Sequence, residues 1–456
     1  MEATTASLVG TILASSNRIP REAFNSAQTL MLDTLGVAIA GTRTTEGVLI
    51  ARVAQKLGKG GPCVLLGSPI KADPATAALV NGTMAYSIGL TDTHSESITH
   101  PGPGVIPAAL AVGHAVGASG LDVLRAMVLG YEVVIRIGAV VNPSHRSRGF
   151  HPTATCNPFG AAIAAAILLG CNEEQTLWAM GLAGSMAGGL YEFRQDGAMV
   201  MALHGGWPAQ SGVMAAYLAR EGFTGPTTIL EGQDGFFKGF ADKTFPEKLV
   251  EGLGQRFSIQ EVALRPYCAC RYAHSGIDAL ARISAEHGEI PISKIKRIKV
   301  FTHHTAVSQE AQPTTLVSAR LSTAFNIAMA VVHGPRLAEV SLADLTDPAV
   351  KEICDRVEIL EDEELTALFP KKWACRVQVE LVTGKTYEWR VDVPKGEPDN
   401  PLSGVEIHQK FHQLADPVIG VDRAVKVIRA VECLPAAGSV AELMEALSTS
   451  KEFQYQ

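Results

Sequence analysis

The chain has 456 residues, enough for two or three domains. A net charge of −7 without any basic run argues against a nucleic-acid partner, and the apolar runs are interrupted by Gly, His or Pro before they reach membrane-spanning length. Eight scattered cysteines, with only Cys268 and Cys270 close together, support neither a zinc site nor a disulfide framework, so a soluble protein of a reducing cytoplasm is expected.

Hydrophobic residues make up 47% of the chain but aromatic ones only 6%, and there are 43 glycines, which points to closely packed helices with small residues at their contacts. In chain order, residues 20–41 and 46–58 read as amphipathic helices, and 63–67 as a short extended piece. Asp73-Pro74 caps a helix over about 74–88, Ser119 with Asp122 opens the next long helix, and Asn172 with Gln175 repeats the device. Up to about residue 260 nearly every pattern has the helical period, which predicts an all-α domain.

The texture changes after about 262. Residues 295–304 alternate and are β-branched, and 375–393 form two period-2 runs around Thr383-Gly384-Lys385, a hairpin signal. Helical patterns lie between them, at 275–287 and about 322–334. From Gly404 on the helical period returns. The expected fold is mainly α: a large helical domain from 1–264 and 404–456, with an α+β domain inserted over 265–403.

Three histidines, His100, His151 and His204, each open a Gly/Pro-rich stretch before an Ala-rich helix. Asn157-Pro158 and Pro208 read as the starts of the last two helices. Histidines on loops that feed helix N-termini suit an anionic ligand, because the free amides there favour negative charge. A second dense stretch, 90–104, gathers Asp92, Thr93, His94, Glu96 and His100. A carboxylate beside histidines can fix a tautomer and tune a pKa, as acid–base chemistry requires. The spacing matches no closed metal motif, and a polar loop capping the next helix would use the same residues. No nucleophile elbow, phosphate loop or dinucleotide fingerprint is present, so proton chemistry on a small acid remains.

At several blocks the sequence resembles the MmgE/PrpD family, which includes 2-methylcitrate dehydratase, cis-aconitate decarboxylase and iminodisuccinate epimerase. The blocks are DTHSESITHPG (92–102), RGFHPTATCNPFGAA (148–162), DGAMVMALHGGWPAQSG (196–212), GFTGPTTILEG (222–232) and RPYCACRYAHSGIDA (265–279). The resemblance implies a helical domain with an α+β lid, a homodimer, and cofactor-independent chemistry that starts with proton removal next to a carboxylate. It places Asp92, Thr93, His100, His151 and His204 in the pocket, with Arg265 where lysine is common and Cys270 where the decarboxylase has histidine.

Two departures bear on the substrate. Members usually read D-F-D-D-T where this chain has Gly89-Leu90-Thr91-Asp92-Thr93, and T-K-R-L-H where it has Val200-Met201-Ala202-Leu203-His204. Two carboxylates and two cations are therefore missing. Arg194, Arg265 and Arg271 are the candidates to compensate, and Met199 and Met201 suit an alkyl group. The resulting assignment makes His151 and His100 the acid and base, with Asp92 and Thr93 orienting them. His94, His204, Arg194, Arg265, Cys270, Arg271 and Met201 are expected to bind a small carboxylic acid, with no metal and no cofactor. From the sequence alone, loss of water ranks first, epimerisation second, decarboxylation third and a non-catalytic role last.

Overall fold

The computed structural model describes residues 2–58, 60–308, 310, 313–334, 341–369 and 371–449. The last residues of the expected 404–456 segment, from 450 on, lie outside that range. Helices dominate, so the chain is mainly α, and it divides into two compact units. No helix among the described residues is long and apolar enough to cross a membrane.

The first unit is built from the chain up to Tyr191, from Val200–Val262 and from Gly404 onward. Its main helices are Arg21–Gly41, Pro74–Ser87, Gly102–Val116, Gly120–Val141, Pro152–Leu168, Val200–Arg220 and Gly404–Ile419. The caps follow the sequence signals. Asp73 accepts from the amides of Ala75 and Thr76, Ser119 accepts from Asp122, and Asn172 with Gln175 forms a full capping box. The helix Gly404–Ile419 returns to pack on Arg21–Gly41, where a side chain at Gly36 would sit 3.0 Å from the Phe411 ring.

Small residues let the central helices touch through their backbones. A Cβ on Gly82 would lie 2.8 Å from Gly206 Cα, and one on Gly205 would lie 2.4 Å from the Gly82 carbonyl. This contact is what brings the helices Pro74–Ser87 and Val200–Arg220 close enough for their side chains to share one site.

Two helix starts differ from the sequence reading. The helix expected at Asn157-Pro158 begins at Pro152, with Pro158 inside it, and the one expected at Pro208 begins at Val200. An internal proline costs one hydrogen bond and crowds the preceding turn. Here the neighbouring small residues, Ala161, Ala162, Ala209 and Gly212, are buried and hold the helices together across that defect. His204 is therefore a helical residue and not a loop residue.

The second unit comprises Glu192–Met199 and Ala263–Ser403. Its sheet has four strands in the order Val357–Glu361, Ile295–Thr302, Cys375–Leu381, Thr386–Val391. The first pair is parallel and the others are antiparallel. Gly384, at φ +83°, makes the hairpin turn expected from Thr383-Gly384-Lys385. Strand Val357–Glu361 has no counterpart in the sequence reading, because its half-buried edge position leaves no alternation to detect. Ile298, Val300, Val377 and Val379 meet Ala273, Ile277 and Leu280 of the helix Arg271–His287 to form the core.

The close helix contact generates a stability prediction. A Cβ on Gly206 would fall 2.0 Å from the Leu79 carbonyl oxygen, whereas one on Gly239 meets nothing within 4 Å. Gly206→Ala is expected to cost about 1–3 kcal/mol through overpacking, and Gly239→Ala to stay within about 0.5 kcal/mol of the parent. Denaturant unfolding of the two variants checks this, and equal midpoints would show that the helices do not touch as described.

Candidate active site

The loop that follows the helix Pro74–Ser87 turns at Gly89, at φ +73°. It is pinched by paired backbone bonds between His94 and Thr99. Asp92 is fully buried here. Both of its carboxylate oxygens accept the Gly102 amide at 3.1 Å, and Oδ2 also accepts the Tyr131 hydroxyl at 2.8 Å. Gly102 opens a helix, so the carboxylate sits on a helix N-terminus, where the amides and the dipole stabilise its charge. Burial and the neighbouring Asp92 push the Tyr131 phenol well above its usual value, so it remains a donor.

Asp92 orients His100 by a different atom from the one expected. The Asp92 main-chain carbonyl lies 2.6 Å from His100 Nδ1. A carbonyl only accepts, so Nδ1 carries the proton, and in the neutral ring Nε2 is then the basic nitrogen. Thr93 Oγ1 lies 3.1 Å from the same Nδ1. The backbone of His100 is pinned by the next helix: its amide donates to Thr153 Oγ1 at 3.2 Å, and Asn157 Nδ2 donates to its carbonyl at 2.9 Å. Asn157 is thus an inward tether and not a helix cap.

His151 occupies the N-cap position of the helix Pro152–Leu168, buried, with its amide donating to the Gly189 carbonyl at 3.0 Å. Its Nε2 is 3.2 Å from the Tyr86 hydroxyl and its Nδ1 is 2.8 Å from His204 Nδ1. Two ring nitrogens at that distance share one proton, so the rings hold opposite Nδ1 states. Burial, then the neighbouring His204 and His100 and the Arg146 cation, push His151 well below its usual range, and burial alone brings His204 to about 4. Both imidazoles are neutral at pH 7. The Tyr86 ring also lies beside His100, with centroids 5.6 Å apart. Tyr191 meets His151 edge-on at 4.8 Å, and the Arg146 guanidinium sits 3.5 Å over the Tyr191 ring.

Asp92, Thr93, His100, His151 and His204 come together in the first unit. Tyr86, Tyr131, Tyr191 and Arg146 join them without having been singled out. His94 is committed to structure: Nδ1 bonds Ser97 at 2.9 Å and Nε2 faces Glu261 at 3.5 Å. Met201 is half-buried in the first turn of the helix Val200–Arg220. Arg194, Arg265, Cys270 and Arg271 belong to the second unit. There Cys270 precedes the helix Arg271–His287 at its N-cap position without a side-chain cap bond, and its amide donates to the Arg320 carbonyl at 2.6 Å. Arg271 is buried against His274 and paired with Glu397, so its charge already has a counter-ion. Among the described residues no group of three or more His, Cys, Asp or Glu side chains is placed to hold a metal ion.

A model of the MmgE/PrpD N-terminal domain matches residues 12–248, and one of the MmgE/PrpD C-terminal domain matches residues 267–436. The chain belongs to the MmgE/PrpD family. Within that family it is 27% identical over 458 residues to a cis-aconitate decarboxylase-like protein, oryM, of Aspergillus oryzae, covering 94% of each chain. It is 26% identical over 459 residues to the cis-aconitate decarboxylase of Aspergillus terreus, covering 95% of this chain and 93% of that one. The Homo sapiens cis-aconitate decarboxylase is 28% identical over 420 residues, covering 89% of this chain and 86% of that protein. As an MmgE/PrpD protein, the chain has its histidine pair in the part matched by the N-terminal domain.

The buried neutral imidazoles set a pH dependence. His145 and His204 are both held near 4, against 6.5 for a free ring. Below 6.5 the unfolded chain binds the protons that the folded one refuses. Stability is therefore level above about pH 7 and falls between 6.5 and 4, by up to about 1.4 kcal/mol per pH unit for each ring. Unfolding midpoints measured from pH 8 to pH 5 check this, with His204→Gln flattening the decline. A level profile in the parent down to pH 5 would contradict the neutral pair.

Proposed function

We propose that this MmgE/PrpD protein is a lyase that needs no cofactor and acts on a small polycarboxylic acid by proton transfer next to a carboxylate. The observation that carries the reading is the chain Tyr86–His151–His204, two buried rings sharing one proton with a phenol at one end and His100 alongside. Such a chain can take a proton from carbon at one point and return one at another.

A polycarboxylate supplies the negative charge that the buried pair lacks. Its binding offsets the desolvation of an imidazolium, so His151 or His204 takes up a proton with the substrate. In decarboxylation the bond to a carboxylate carbon breaks and CO2 leaves. The electron pair stays on carbon, conjugated with a second carboxylate, and the imidazolium protonates that carbon. In dehydration a neutral imidazole removes a proton next to a carboxylate, and the hydroxyl leaves as water with a proton from the Tyr86–histidine chain.

The sequence alone ranks loss of water first. Similarity to proteins named cis-aconitate decarboxylase over nearly the whole chain moves decarboxylation ahead of it. Dehydration keeps second place on a specific observation: at pH 7 the pair is neutral and offers a base beside a phenolic donor.

Proton NMR in D2O with cis-aconitate, citrate and 2-methylcitrate tests the reading. Decarboxylation is expected to consume cis-aconitate with one CO2 released per molecule. Dehydration would give alkene signals from a hydroxy acid without CO2, and no turnover of any of the three would overturn the proposal. His151→Gln is expected to lower kcat by roughly 10²–10⁴-fold; wild-type turnover in that variant would remove His151 from the chemistry.

A further inference from the structure

One buried charge in the first unit has no part in the chemistry above. Lys410, from the C-terminal helix Gly404–Ile419, and Asp33, from the helix Arg21–Gly41, are each 1% exposed at the side chain. Lys410 Nζ lies 2.6 Å from Asp33 Oδ1 and donates to the Leu90 carbonyl at 3.1 Å. Removing two charges from water is costly, and a buried ion pair is often no more stable than apolar residues of similar volume. Core stability alone therefore does not account for the pair.

Its second contact does. Leu90 stands two residues before Asp92, on the loop that carries the site. Asp92 fixes the His100 tautomer through its carbonyl and fastens the loop to Gly102 and Tyr131 through its carboxylate. The residue after Asp33 lies under the same point: a Cβ on Gly102 would meet Asp92 Oδ1 and Thr34 Oγ1, each at 2.8 Å. The loop is thus held by Lys410, itself anchored by Asp33, at the Leu90 carbonyl, and by Tyr131 at the Asp92 carboxylate.

We propose that Lys410 is a positioning residue: by holding the Leu90 carbonyl it sets the Asp92 peptide so that His100 keeps its proton on Nδ1 and presents Nε2 to the substrate. The catalytic consequence rests on the proposed function, but the tautomer does not.

The test replaces the pair by apolar residues in the full chain, Lys410→Met with Asp33→Leu, and reads three quantities. Long-range ¹H–¹⁵N NMR reports the His100 tautomer without any substrate, with His100→Gln used for assignment. The expected result is loss of the single Nδ1–H pattern and a 10–100-fold fall in kcat, with KM within threefold and Tm close to the parent. Lys410→Met with Asp33→Asn, which changes volume less, takes over if the first variant does not fold. An unchanged tautomer in the variant that folds overturns the proposal, whether kcat is kept or falls together with Tm. If no acid in the panel turns over in the parent protein, the proposed function fails while the tautomer still decides the role of Lys410.

Discussion

The hydrogen bond between the Nδ1 atoms of His151 and His204 is the constraint on which the site depends. At 2.8 Å it tolerates one proton between the two rings and not two. Burial is the largest cause that keeps both rings neutral. The site is thus a pair of buried bases, with Tyr86 on one side and Tyr191 edge-on to the His151 ring.

Keeping the two rings together requires the helices beneath them to approach more closely than side chains allow. Gly205 and Gly206 follow His204 directly and let that helix lie against Gly82. Tyr86, one turn beyond Gly82, is thereby brought to His151. On the other flank Gly189 accepts the His151 amide, at φ +148°, and a Cβ there would strike Ala154 at 2.4 Å. The glycine content noticed in the sequence is therefore a condition of the site as well as of the packing.

Much of this is written in local chemistry that a sequence displays. Helix caps at Asp73, Ser119 and Asn172 use short side chains next to the amides they bond, so spacing alone reveals them. The hairpin at Gly384 and the clustering of Asp92, Thr93 and His100 are local in the same way. Tyr86, Tyr131 and Arg146 are not. Each lies in a helix dozens of residues from its partner and looks like an ordinary core or surface position until the fold brings it to the site. The helix starts at Pro152 and Val200 were hidden for a related reason. Pro158 and Pro208 look like first-turn residues, and only the small-residue packing on both sides shows that the helix runs through them. The role of Asp92 also escaped, because its carbonyl orients His100 while its carboxylate serves as a helix cap.

The charges lost relative to the family pattern have a consistent physical reading. Met201 and Ala202 stand where the family pattern has Lys and Arg, and Arg271 has Glu397 as its counter-ion. A polycarboxylate bound as proposed at the histidine pair would meet a phenol and neutral imidazoles, with Arg146 as the nearby cation on the Tyr191 face. Neutral donors hold an anion less tightly than a lysine would, unless they gain a proton as it binds. The histidine pair can do this, since its low proton affinity comes from burial and from repulsion by neighbouring positive charge, and an incoming carboxylate relieves both. Binding and protonation then become one event, and the same proton is the one the chemistry needs on carbon. A site with fewer fixed cations is in this sense suited to acid–base work, because the acid forms only when the substrate is in place.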